Sequence, residues 1–519
     1  MIKGCDCLEL VEWNEKQYFR NGALDIFLIG YSEAYLQEWC TSSELMSHVK
    51  GGFDSSSRKC GAHEFAGLRI EIRPMDEIHC IPSDSIILIF DDYHNDVFKR
   101  LKNVSEIRTR FSCIYYYPNK ETRYYYFYLD KYKDIPLKDM LVFRSGPHAS
   151  GYVHGMDFAD NARALFDYML QEGYNNRYEL VWLVNSPEEF QERYSQIDNV
   201  KFLPYSGAIS DDIFMREAYY EAICLAKFIF FTDAYGFCRY IRPGQIRVQL
   251  WHGCGIKRRV NFVPCESRYE YMTVISKMYA ELHGRDYGLR EQQLLVTGYP
   301  KEDWLFHPLG DWRKKFKIPE AKKYVFWLPT FRTTAVDGLK LLDEGNGKWE
   351  TGLPIVSSHQ QIKLLNSFLC EKNVVLILKL HPFQRRESIN VRQCSNIVFL
   401  ENEDLFREDV ALNQILGHAD ALISDYSSAA IDYSILNRPL AFTLDDWQEY
   451  NDSRGFNWPA VRDWLPGVEI YTFDEFKNFI NDIAVGRDIS AEKRRCLNQE
   501  FHDFFDDKSS ERIIKALGI

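Results

Sequence analysis

The chain has 519 residues, with 63 Lys and Arg against 75 Asp and Glu, a formal net charge of −12 and a pI near 5.6. That length exceeds what one hydrophobic core organises and corresponds to about three domains of ~150 residues. The acidic balance argues against a protein whose main task is gripping nucleic acid, which needs a basic field.

Hydrophobic residues make up 46% and charged residues 27%, the balance of a globular rather than a disordered protein. The 13 Cys are scattered, with no CxxC pair and no Cys/His metal spacing, and read as reduced thiols of a cytoplasmic protein. Met1–Asn14 carries Asp6, Glu9 and Glu12 without a basic stretch leading into an apolar core, so no signal peptide is expected there. The longest apolar runs, such as Ile86–Phe90 and Phe228–Phe231, fall far short of the ~20 residues of a membrane span. The expectation is a soluble or, at most, peripheral protein.

In chain order, Leu24–Gly30 (LDIFLIG) reads as a strand, followed by a helix from Ser32 and a polar turn region, Gly51–Gly61. A second strand, Ser85–Phe90, runs into Asp91–Asp92. Strand, helix, strand is the pattern of a small parallel α/β unit. Gly30 is followed by Tyr31 and Ser32, not by further glycines, so the unit reads as structural or partner-docking rather than dinucleotide-binding. The Tyr- and Lys-rich stretch Tyr115–Lys133 reads as sheet edge and linker.

From Met140 onward the alternation repeats. Leu141–Phe143, Leu180–Val184, Phe228–Thr232 and Arg247–Leu250 read as strands, and Asp160–Gln171 as an amphipathic helix. After Pro308 come strand candidates Tyr324–Leu328, Val374–Leu380, Ile397–Leu400, Ala421–Ser424 and Pro439–Thr443, with helices at Ser358–Cys370 and Leu412–His418. The predicted fold is therefore α/β, a GT-B-like pair of Rossmann-like domains facing a cleft, with a smaller Rossmann-like module before them. The expected boundaries are 1–135, 136–307 and 308–519.

Short motifs stand at the ends of these strands, where α/β enzymes place ligands. Gln249–Gly253 (QLWHG) delivers His252 to a strand end. A neutral imidazole there can take a proton from an attacking hydroxyl, or can simply be a structural His in a turn. Lys257 follows and faces phosphate or solvent. In Leu328–Arg332 (LPTFR), Thr330 and Arg332 suit a diphosphate, with a turn and a surface Arg as the plain alternative. Lys379–Pro382 (KLHP) repeats the geometry with His381, which can donate to a phosphoryl oxygen or cap a core. In Ala419–Asp432 (ADALISDYSSAAID), Ser427 and Ser428 start a helix, as caps, as part of an anion site, or both. Asp425 suits a hydroxyl or the loop backbone, Asp432 rides on the helix, and Arg438 and Arg454 add two cations.

Taken together, WHG, TGYP, PTFR, KLHP, ISDYSS, D, RP and RG resemble, in that order, the CDP-glycerol glycerophosphotransferase family: the teichoic acid primases and polymerases and their capsule-polymer relatives. They fall here at Trp251–Gly253, Thr297–Pro300, Pro329–Arg332, Lys379–Pro382, Ile423–Ser428, Asp432, Arg438–Pro439 and Arg454–Gly455. The match covers roughly residues 140–485, and the ordered set is far more specific than any one member. The resemblance implies a GT-B fold with the acceptor in the first domain and the CDP-polyol in the second. It implies His252 as catalytic base and His381 as the second essential His, near the donor phosphate. Thr330, Arg332, Ser427 and Ser428 would hold the diphosphate, with Asp425, Asp432, Arg438 and Arg454 on the donor side. Gly253 and Lys257 would lie on the acceptor side or face phosphate. The implied reaction is attack by an acceptor hydroxyl on the phosphorus next to the polyol, with CMP leaving.

Two loops depart from the usual pattern. Cys254–Gly255–Ile256–Lys257 stands where a small residue and Pro precede Lys, and Lys301–Glu302–Asp303 where an Arg and a polar residue precede Asp. Both loops are expected to face acceptor or donor. The expected partners are a CDP-polyol and a polymer or lipid-linked acceptor, with peripheral contact at the inner face of the cell membrane and no nucleic acid. No metal cluster is legible; a loosely held Mg²⁺ would leave little trace in sequence. The rival readings are a ribitol-phosphate transferase using CDP-ribitol, a GT-B glycosyltransferase using a nucleotide sugar, and a non-catalytic assembly scaffold.

Overall fold

The computed structural model describes the chain apart from residues 1–7, 14–23, 31–32, 40–42, 57–58, 66, 91–93, 147–155, 233–240, 259–268, 330–349, 381–393, 454 and 459. It divides into two compact units: Met1–Ile135 with Ser206–Cys224, and Pro136–Tyr205 with Leu225–Ile519.

The first unit is built on seven strands: β1 (Glu9–Glu12), β2 (Ile26–Ile29), β3 (Val49–Asp54), β4 (Gly61–Phe65), β5 (Leu68–Pro74), β6 (Ile86–Ile89) and β7 (Cys113–Tyr116). Their order is β1-β7-β6-β2-β3-β5-β4, parallel throughout except for β4 against β5. Alternate residues of β2 enter different cores, Ile26 and Leu28 one, Phe27 and Ile29 the other. Both faces of the sheet are covered, as parallel sheets require.

Two expectations change here. Gly51 and Gly52 lie inside β3, not in a turn. A Cβ on Gly52 would come within 2.9 Å of the Leu28 carbonyl oxygen, so the pair lets β3 sit tightly between its neighbours. The stretch after β7 is a helix, Lys120–Tyr132, rather than sheet edge and linker. Asn119 caps it by accepting from the Thr122 N–H at 2.8 Å, and Tyr125, Tyr128 and Tyr132 fall on one buried face at helical spacing. Tyr128 stacks on Tyr220 with ring centroids 4.6 Å apart. The tyrosines that suggested a strand by propensity are the packing face of a helix.

The second unit holds two sheets. In the first half these are β8 (Lys138–Ser145), β9 (Glu179–Val184), β10 (Val200–Pro204), β11 (Ala226–Thr232), β12 (Ile246–Gln249), β13 (Tyr271–Val274) and β14 (Leu294–Val296), ordered β10-β9-β8-β11-β12-β13-β14. In the second half they are β15 (Lys323–Trp327), β16 (Val374–Leu378), β17 (Ile397–Phe399), β18 (Ala421–Ser424), β19 (Leu440–Thr443) and β20 (Val468–Ile470), ordered β17-β16-β15-β18-β19-β20. All pairings in both are parallel.

Five helices position the residues of the site: α1 (Asp160–Gln171), α2 (Pro300–Phe306), α3 (Leu412–Leu416), α4 (Ala429–Ser434) and α5 (Ser509–Leu517). The last returns to the first half, where Ile513 and Ile514 share a core with Leu141, Phe143 and Trp182. Asp303 of α2 holds its start, accepting from the Ser509 and Ser510 N–H groups at 2.9 Å each. The Asp of the KED triplet thus caps this helix. Among the described residues, no helix is long and apolar enough to cross a membrane.

Candidate active site

The WHG loop leaves β12 through an unusual backbone. Trp251 adopts φ 56°, a left-handed conformation that a bulky side chain enters only when its surroundings hold it there. Its N–H donates to Gln249 Oε1 at 3.0 Å, and its carbonyl accepts from Asn161 Nδ2 at 2.8 Å. Gly253 has φ 150°, and a Cβ on it would lie 2.6 Å from Ser428 Oγ. The loop of the first half therefore rests directly on the serine turn of the second, and only glycine permits that approach. His252, between these two residues, is half-buried, with its ring 4.2 Å from that of Trp251.

Further along, the loop is fastened to the second half by backbone. Lys257 forms an isolated antiparallel bridge with Phe456, Asn457 Nδ2 donates to the Gly255 carbonyl at 2.9 Å, and the Arg258 N–H donates to the Gly455 carbonyl at 3.0 Å. Cys254 is fully buried against the Tyr299 hydroxyl at 3.0 Å, and burial pushes its thiol well above the usual range. The departure at Cys254 is a packing change within the protein.

Beside the loop lies a cavity of about 290 Å³ walled by both halves. Phe158, Trp304, Leu405 and Phe406 supply apolar wall; Asp160, Lys301, Lys379, Ser428 and Asp432 supply polar groups. Two buried lysines behave oppositely there. Lys301 Nζ sits 3.3 Å from Asp160 Oδ1 and 3.1 Å from Asp432 Oδ2, and the two carboxylates raise its pKa against the cost of burial. Lys379 follows β16 and donates to Asn402 Oδ1 at 2.7 Å. Desolvation pulls its pKa down to about 8, opposed only weakly by Glu403. Asp432 is buried and its pKa is pushed up to about 6 by desolvation, with Lys301 opposing. Its Oδ1 has no hydrogen-bond partner among the described residues, although it faces a polar cavity. Arg163 of α1 closes one side by gripping Asp409 of the second half at 2.8 Å.

Of the residues singled out by sequence, His252, Gly253, Ser428 and Asp432 meet at this cavity or against its wall. Ser427 is half-buried, its Oγ accepting from the Ala429 N–H at 3.4 Å; Ser428 makes no side-chain cap. Asp425 is fully buried just beyond β18. Arg438 is not brought to the site. It precedes β19 at the amino end of that strand, and donates to the Gly417 and Ala419 carbonyls at 2.6 and 2.9 Å. His381, Thr330, Arg332 and Arg454 lie outside the described residues.

Sequence reasoning passed over Asp160, Asn161, Arg163 and Lys379. Lys379 is legible as the first residue of KLHP, a string whose evident chemistry is that of its His. Asn161 and Asp160 carried no signal beyond the start of an amphipathic helix. Among the described residues, no group of three His, Cys, Asp or Glu side chains is arranged to hold a metal ion.

Two parallel sheets that share a cavity, with a His loop against a serine turn, make a GT-B-like arrangement. Residues 150–518 match the family described as CDP-Glycerol:Poly(glycerophosphate) glycerophosphotransferase, and the chain belongs to it. It is a member of the teichoic acid polyol-phosphate transferases, of glycerol or ribitol phosphate. The teichoic acid ribitol-phosphate primase of Bacillus spizizenii is 25% identical over 323 residues, 57% of this chain and 75% of the primase. The teichoic acid glycerol-phosphate transferase of Staphylococcus aureus is 22% identical over 412 residues, 74% of this chain and 94% of that protein. The wall teichoic acid polymerase TagF shares the fold with a TM-score of 0.57 at 20% identity, covering 82% of this chain and 97% of that one. TagF has also been solved after a soak with CDPG.

Proposed function

We propose that this chain transfers glycerol phosphate from CDP-glycerol to a hydroxyl of a teichoic acid or capsule polymer, releasing CMP. The observation that carries the reading is the cavity beside the His252 loop, where Lys379, Ser428 and Asp432 converge. A nucleoside diphosphate has the features to match it. Its base packs against Phe406 and Leu405, its ribose hydroxyls donate to Asp432 Oδ1, and its phosphates give Lys379 a counter-charge. His252, on the adjoining loop, takes the proton of the acceptor hydroxyl as it attacks phosphorus, and CMP leaves. His381 is assigned to the donor phosphate on its place in KLHP. A Mg²⁺ would travel with the diphosphate.

CDP-ribitol is the second donor to consider, because a relative with one of the higher identities is a ribitol-phosphate primase. We place the reaction at the cytoplasmic face of the membrane, where a CDP-linked donor and a lipid-linked acceptor meet.

The test is nucleotide release from CDP-glycerol, CDP-ribitol and a panel of nucleotide sugars, with donor binding followed by calorimetry. CMP release that disappears in His252→Ala supports the mechanism, and the preferred polyol fixes the substrate. Clear use of a nucleotide sugar, with neither CDP-polyol bound or turned over, would leave only the fold standing.

A further inference from the structure

In the charged cluster beneath the WHG loop, Lys301 takes no direct part in the proposed transfer chemistry, and the role inferred for it rests on that reading. Lys301 stands in the first turn of α2, 8% exposed. Each of its polar groups is committed, mostly to a different element. Its N–H donates to Asn161 Oδ1 at 3.1 Å, on α1. Its carbonyl accepts from Asn413 Nδ2 at 3.1 Å, on α3. Its Nζ meets Asp160 at 3.3 Å and Asp432 of α4 at 3.1 Å, and also donates to the main-chain oxygen of His252.

Asn161, held by Lys301, donates in turn to the carbonyls of Leu250 and Trp251, at 3.2 and 2.8 Å. Three successive carbonyls, those of Leu250, Trp251 and His252, are thus fixed by the side chains of two residues that are themselves joined through the Lys301 N–H. The direction of an imidazole is set first by its own peptide plane, and this plane is pinned by an ammonium. Nothing in α2 itself calls for a cation here. Pro300 opens the helix and Glu302 satisfies the Tyr299 N–H at 3.1 Å. The carboxylates that steady the ammonium come from opposite halves, Asp160 from the first and Asp432 from the second.

We propose that Lys301 is a positioning residue for the transfer reaction: clasped between Asp160 and Asp432, it fixes the His252 peptide and so aims the imidazole. Although it lines the cavity, its ammonium is committed to these contacts, and it acts on the reaction through His252. A guanidinium can make the same three contacts; a thioether can make none of them.

The full-length chain, labelled with ¹³C-histidine, provides the direct readout. The His252 ring signal is assigned by its loss in His252→Ala. Lys301→Met is expected to shift or broaden that signal while the signal of buried His502 stays, and Lys301→Arg is expected to keep it. In CDP-glycerol transfer, Lys301→Met should lower kcat about 100-fold, the scale set by misaligned reacting groups, and Lys301→Arg should recover most of it. In the His252→Ala background, Lys301→Met should cost nothing further, because the two residues act as one. An unmoved His252 signal in folded Lys301→Met, or an equal loss of kcat in both backgrounds, overturns the proposal. Thermal unfolding reports whether Lys301→Met folds; if it does not, Lys301→Gln takes its place in every arm. A wild type that transfers no polyol phosphate defeats the functional reading instead, and the ring signal still decides the positioning.

Discussion

Lys301 and Lys379 face one cavity from its two walls, yet they are different devices. Lys301 has two carboxylates and a carbonyl around its ammonium; among the described residues, Lys379 donates to one neutral amide oxygen. Burial costs both; among the described residues the first is compensated by two carboxylates and the second only in part, by Glu403. The difference separates structure from ligand. A buried charge whose partners are all present holds the fold and aims its neighbours, whereas one left short of a counter-charge is a place for an anion to arrive.

The largest effect expected is at the residue the first lysine serves. His252→Ala should reduce CMP release by about 1,000-fold or more, the range of general-base removal, with thermal stability nearly unchanged. Nucleotide release and a melting curve check both halves of that statement.

The two lysines should then part company in stability. Lys301→Met strands the buried Asp432 carboxylate and takes the cation from half-buried Asp160, and is expected to cost about 3–5 kcal/mol in denaturant unfolding, the scale for breaking a buried pair. Lys379→Met removes an ammonium whose burial is poorly repaid, so unfolding should show no loss, or a gain of up to about 3 kcal/mol. Equal destabilisation by both substitutions would abolish the distinction. Calorimetry should show the converse for ligand: Lys379→Met is expected to weaken CDP-glycerol about 10- to 100-fold, the worth of a charge-assisted contact to phosphate.

Acidity sharpens the contrast further. With a folded pKa of about 8 against an ordinary value of 10.5, Lys379 binds fewer protons folded than unfolded between those pH values. Its burial cost is therefore full below pH 8 and relieved as pH rises toward 10.5. Donor affinity should run the other way, falling as pH passes upward through 8 and the ammonium is lost, with phosphate contact shifting that midpoint upward. The smallest effect is at the acid side. His502, buried beside α4, has its pKa pulled down to about 4 by desolvation, so its contribution to stability is lost as pH falls from 6.5 toward 4. His502→Asn should flatten that limb.

Much of the fold was legible because its signal is local. Asp160–Gln171 and Ala421–Ser424 appear with the predicted limits, and the other predicted strands of the second unit lie within a few residues of their predicted ends. What failed was decided by packing at a distance. Gly51 and Gly52 look like a turn until Leu28 and Glu71 are found beside them, and the tyrosines of Lys120–Tyr132 look like strand until Tyr220 is found under them. The site shows the same division. Motifs pointed to His252, Ser428 and Asp432, which the structure brings to one cavity or its wall, because each stands in a recognisable string. Asp160 and Asn161 have no string; they matter because Lys301, some 140 positions later, reaches back to them. Arg438 illustrates the reverse error, since adjacency to a strand in sequence does not say which end of the sheet a side chain occupies.

The clasp between Asp303 and Ser509–Ser510 bears on how the molecule is made. Its partners are separated by 206 and 207 residues, and the helix they secure carries Ile513 and Ile514 into the core built on β8 and β9. A ribosome that has finished the first half has therefore not yet produced the side chains that close it. At ~5–20 residues per second, that half waits on the order of tens of seconds with an open seam, in the company of chaperones, while the second half emerges. The two halves are separate in architecture and inseparable in biosynthesis.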